Sequence, residues 1–157
     1  MKATRKKVTI KDLIKGYDDG YARGEEEKGI VGYDGKLDIR PPYQRNFIYE
    51  DKQRADVIKS ILADLPLNVM YWAIKDDGNY EILDGQQRTI SICQYVKTEE
   101  FSYKNLSFHN QPDNIKKKIL ASTFMIYVFK GTAEDKLAWF KTINLAGANL
   151  THPEMRH

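Results

Sequence analysis

Asp84, Gly85, Gln86, Gln87 and Arg88 set a carboxylate, a glycine, two amides and a guanidinium in consecutive positions of a 157-residue chain. They fall between an apolar, strand-like run at 80–83 and a helix-like run at 89–96. A strand-to-helix turn leaves the first backbone N–H groups of the helix without intrahelical acceptors, at the positive end of its dipole. Gly85 would let a ligand approach the backbone closely. Arg88 offers a fork of donors suited to phosphate oxygens, and Asp84 a carboxylate suited to a metal, a water or a sugar hydroxyl. The same letters also fit a plain Asp-Gly turn followed by a solvated first helical turn. Neither the Gly-x-x-x-x-Gly-Lys-Ser/Thr phosphate loop nor the Gly-x-Gly-x-x-Gly fingerprint is present, so a nucleotide site here belongs to another class.

A second polar group, Tyr43, Gln44 and Arg45, follows the strand-breaking pair Pro41-Pro42, where a loop can aim side chains into a cleft. The elements that must position both groups are readable from periodicity. Residues 8–17 read as a short amphipathic helix with Thr9 as N-cap and Leu13, Ile14 and Tyr17 on its apolar side. The glycine-rich stretch 18–36 reads as a mobile surface loop. Residues 37–40 form a strand, and 50–65 form a helix in which Ile58, Ile61, Leu62 and Leu65 keep i, i+3, i+4, i+7 spacing until Pro66. A buried strand over 67–74 turns at 76–79 into the strand before Asp84. A helix at 113–120, a strand at 124–129 and a helix at 133–143 complete the chain, with Thr132 as N-cap and Leu137, Phe140 and Ile143 inward. Gly147 could supply a left-handed C-cap. The hairpin inside an otherwise interleaved order argues for a small α+β domain with a mixed sheet flanked by helices.

Composition bounds the rest. A hydrophobic content of 41% with 30% charged residues fits one soluble globular domain with a real core. The apolar runs are too short to cross a bilayer, and no signal-peptide stretch follows the basic N-terminus, so the cytoplasm is the expected compartment and no membrane partner is implied. A net charge of +3 is weaker than a dedicated nucleic-acid binder usually carries. The lysines at 116–118 read as a solvated helix face. Cys93 cannot form an internal disulfide and reads as a small core residue. His152 and His157 are off the spacing of a helical metal pair, and no zinc site is expected.

The pairing of the Tyr43-Gln44-Arg45 run with the Asp84-to-Arg88 run resembles the DUF262 family, the N-terminal module of GmrSD-type, modification-dependent restriction systems. Trp139 to Asn144 and Gly147 match it more weakly, and no catalytic role is assigned to Asn144 or Gly147. The resemblance divides the chain into an N-terminal helix and mobile loop over 1–36 and a DUF262-like domain over 37–157, expected to be truncated at its C-terminal end. It implies a ParB/sulfiredoxin-like fold and a module that binds, and in some members hydrolyses, nucleoside triphosphates with Mg²⁺. It also implies a separate nuclease domain or subunit, for which too little chain follows here, and contact with DNA through that partner.

Carried onto this sequence, the resemblance assigns Tyr43, Gln44, Arg45, Gly85 and Gln86 to nucleotide binding and Asp84, Gln87 and Arg88 to catalysis. Phosphoryl transfer needs mainly positioning and charge neutralisation, so Arg45 and Arg88 suit phosphates and Asp84 suits Mg²⁺ or the attacking water. Gln86 or Gln87 would orient that water or hold ligand oxygens. The alternative is a DNA-binding module, or a ParB-like nuclease acting directly on DNA, in which Arg45, Arg88 and the lysine clusters meet the DNA backbone.

Overall fold

The basic N-terminal residues form a strand. In the computed structural model, which describes residues 2–20, 23–25, 28–40, 50–65, 67–99 and 101–147, β1 (Lys2–Thr9) pairs antiparallel with β6 (Thr123–Lys130), from Lys2↔Lys130 to Thr9↔Thr123. The helix expected over 8–17 survives only as α1 (Ile10–Leu13), capped by Thr9, whose hydroxyl accepts from the Asp12 N–H at 3.1 Å. A long partner strand supplies hydrogen bonds along all of β1, whereas one or two helical turns are marginal alone. Cationic side chains are also characteristic of protected sheet edges.

The supposed loop at 18–36 contains β2 (Ile30–Gly32), which pairs with β3 (Leu37–Arg40), and an isolated bridge joins Asp18 to Val31. Glycine-rich sequence hides such a strand, since only Ile30 and Val31 show any apolar pattern. β4 (Met70–Ile74) starts three residues later than expected and turns into β5 (Tyr80–Asp84) at the predicted hairpin. The six strands lie in the order β1-β6-β4-β5-β3-β2. β4 runs parallel to β6 and β3 parallel to β5, while the other neighbours are antiparallel. The expected α+β class with a mixed sheet is therefore what forms, and the sheet draws β1 and β2 from the first 36 residues.

Strand alternation turns Val8, Phe124, Ile126, Met70, Trp72, Ile82, Leu37 and Ile39 toward one core. Ile58 and Ile61 of α2 (Asp51–Leu62), Ile90 of α3 (Gln86–Cys93) and Ile119 of α4 (Asp113–Ala121) complete it. Leu65, expected on the apolar side of α2, lies beyond the helix end and is 56% exposed. A π-helical turn, Gln94–Thr98, prolongs α3. Arg54 of α2 donates to Gln94 Oε1 at 3.1 Å and lies 4.6 Å from the Phe101 ring centre, tying α2 to this turn.

The opposite sheet face receives α5 (Ala133–Gly147). Thr132 caps it reciprocally: its hydroxyl accepts from Asp135 N–H at 3.1 Å and its own N–H donates to Asp135 Oδ2 at 3.0 Å. Lys136 pairs with Glu81 at 3.1 Å, and the Trp139 ring meets Tyr71 at 4.8 Å and Phe129 at 5.1 Å. Trp139 is thus an inward residue, while Leu137, expected there, is 57% exposed. The Phe140 and Ile143 side chains lie outside the described residues. Gly147 is still within α5 rather than after it. Among the described residues no helix is long and apolar enough to cross a membrane.

Cys93 is fully buried, and burial pushes its thiol well above the ordinary value. A thiol reagent such as dithionitrobenzoate should therefore leave Cys93 unmodified in the native protein and label it stoichiometrically in denaturant. Rapid native labelling at neutral pH would contradict its core placement.

Candidate functional site

β3 and β5 run parallel with Leu37 opposite Tyr80 and Asp38 opposite Glu81. That register brings Arg40 and Asp84 to the same end of the sheet, at the carboxyl ends of neighbouring strands, where open α/β sheets commonly place ligands. Both are buried, at 5% and 7% exposure. The chain leaves Arg40 directly into Pro41-Pro42-Tyr43-Gln44-Arg45 and leaves Asp84 directly into Gly85 and α3.

Gly85 holds φ 112° and ψ 12°, a left-handed conformation that side chains rarely tolerate. A Cβ at this position would meet Met70 Cγ at 2.7 Å and Sδ at 2.8 Å. The expected open approach for a ligand is therefore filled by a core side chain, and the glycine is required by packing and by φ. Thr89, one turn on, donates its hydroxyl to the same Met70 sulfur at 3.1 Å.

The solvated first turn also does not form. Gln87 and Arg88 are 4% and 5% exposed, and every residue of α3 from Gln87 to Cys93 is buried. Arg88 donates from Nη1 to the Asn68 carbonyl at 2.6 Å and from Nη2 to the Val69 carbonyl at 3.4 Å. Its guanidinium carbon stands 5.7 Å from the Phe124 ring centre. These contacts hold the segment entering β4 against α3.

An irregularity between Tyr71 and Trp72 sets Tyr71 opposite Asp84. Burial raises the Tyr71 phenol above its ordinary value, and the nearby Asp84 and Tyr127 add to the rise. Bulges of this kind often re-aim a side chain beside a site. Among the described residues no three His, Cys, Asp or Glu side chains gather to hold a metal ion.

The family model described as the GmrSD restriction endonuclease N-terminal domain matches residues 10–124. The chain belongs to this family. It thereby groups with components of restriction systems. No curated protein and no solved structure matches the chain.

Of the residues expected to form the GmrSD-type site, Asp84, Gly85, Gln86, Gln87 and Arg88 stand together at the end of β5 and the start of α3. Tyr43, Gln44 and Arg45 lie outside the described residues, as does the side chain of Asn144. Arg40 and Tyr71 are the additions that sequence reasoning missed. Arg40 carried one signal, a cation closing a strand immediately before a polar motif. Tyr71 carried none, because its place beside Asp84 depends on the irregular β4–β5 pairing.

Replacing Gly85 by alanine should cost about 1–3 kcal/mol from the left-handed backbone, and more from the Met70 contact. Chemical denaturation of Gly85→Ala in wild-type and Met70→Ala backgrounds separates the two. A smaller penalty in the Met70→Ala background is expected; an equal penalty would assign the whole cost to φ.

Proposed function

We propose that the strand-end cluster binds a nucleoside triphosphate as its Mg²⁺ complex and acts as a regulatory module for a nuclease partner in a restriction or phage-defence system. One observation carries this reading. Arg40 and Asp84 end adjacent parallel strands, and each leads directly into one of the two polar motifs, forty residues apart in sequence. Arg40 and the Asp84 carboxylate at one end of a sheet, each followed in sequence by an arginine-bearing motif, match what a polyphosphate with its metal requires.

In this reading Arg45, Arg88 and Arg40 neutralise phosphate charge, and Asp84 holds Mg²⁺ or the attacking water. Gln86 or Gln87 orients that water, and Tyr43 and Gln44 contact the nucleoside. Hydrolysis needs little covalent chemistry from the protein beyond this positioning.

The test is a thermal-shift and calorimetric titration with ATP, GTP, CTP and UTP in the presence of Mg²⁺. A nucleotide at one hundred times its Kd should stabilise the fold by about 2.7 kcal/mol. Arg45→Ala and Asp84→Asn should lose that stabilisation while melting near the unliganded wild type. Arg88→Ala is a poorer probe, because its loss also frees the Asn68 and Val69 carbonyls and lowers stability by itself. No shift with any of the four nucleotides, or full binding by both Arg45→Ala and Asp84→Asn, would overturn the assignment.

A further inference from the structure

We infer that the outer face of β1 and β6, beside the part of the sheet that α5 covers, is a binding surface for single-stranded nucleic acid. The period of two in β1 divides its basic run. Lys6 turns inward, its ammonium 5.2 Å from the centres of both the Tyr33 and Tyr80 rings. Arg5 and Lys7 turn the other way, are exposed, and make no ion pair among the described residues.

On that outer face Arg5 is in register with Tyr127 and Lys7 with Met125. Tyr127 is partly exposed and stacks on Tyr71 of β4 at 5.7 Å between ring centres and 18° between planes. Tyr71 is in turn held by Trp139 at 4.8 Å. Among the described residues Tyr127 meets no ring besides Tyr71 and no cation. A partly exposed tyrosine held by one ring partner, beside two exposed cations that make no ion pair among the described residues, presents both a stacking platform and phosphate contacts.

Those features suit a strand whose bases are unpaired. A base stacks on Tyr127, and its flanking phosphates meet Arg5 and Lys7. In a duplex the bases are already stacked, so only the two cations would contribute. Arg5, Lys7, Met125, Tyr127 and Trp139 all lie outside the family match at residues 10–124, while Tyr71, opposite Asp84, borders the strand-end cluster.

Fluorescence anisotropy with a labelled ten-nucleotide oligothymidine tests this on the full chain. Two phosphate contacts on a single strand predict a log–log salt slope of about −1.4, or about sevenfold weaker binding between 50 and 200 mM salt. Arg5→Gln with Lys7→Gln should flatten that slope. Tyr127→Leu, which keeps apolar bulk, should weaken binding about fivefold or more with the slope unchanged. Circular dichroism melting checks that the variants fold. Equal or tighter binding of the matching duplex, wild-type affinity in Tyr127→Leu, or binding only to anionic vesicles would overturn the proposal.

Discussion

The contact of Gly85 with Met70 sets the geometry on which the rest of this domain depends. β5 must end, reverse its backbone into a left-handed residue and start a helix directly over the first residue of β4. Only a residue without a Cβ fits between the turn and the Met70 side chain. Once that turn is made, α3 lies in the middle of the core with no solvated face. Its polar residues then have to find partners inside the protein, which is why Thr89 meets the Met70 sulfur and Arg88 reaches the carbonyls before β4.

This arrangement gives the motif two duties. Arg88 is a structural clamp across α3, β4 and β6 before it can be anything else. Asp84 sits buried at a strand end opposite Tyr71, and the buried Arg40 ends the neighbouring strand. A site built on such a scaffold starts rigid, and rigidity is what positioning chemistry needs. The opposite face is organised differently. There the Tyr71, Tyr127, Phe129 and Trp139 rings form a small second core under α5, beside the basic edge strand.

Much of this was legible in the residues. Ile58 and Ile61 announced α2, the 76–79 turn announced the β4–β5 hairpin, and Thr132 announced α5. The motif letters at Asp84 to Arg88 marked the junction of strand and helix correctly. The failures share one cause, which is that long-range pairing overrode local pattern. Val8 and Thr9 looked helical because Leu13, Ile14 and Tyr17 follow at helical spacing, residues 2–7 showed only a basic run, and β6 makes residues 2–9 a strand. β2 looked like loop because glycines diluted its two apolar residues. Leu137 looked inward on helical spacing, but Tyr71 and Phe129 select Trp139 as the residue that docks.

By itself the sequence determined the α+β class, the main helices, the family membership and the residues able to handle a polyanion, because these follow from local periodicity and residue chemistry. The tertiary structure alone decided that Gly85 answers to Met70, that Arg40 and Asp84 end neighbouring strands on one side of the sheet, and that Arg5 lies opposite Tyr127 and Lys7 opposite Met125. Each of these rests on strand register between segments distant in sequence. Register is set by the packing of the whole sheet, and no single stretch of residues carries it.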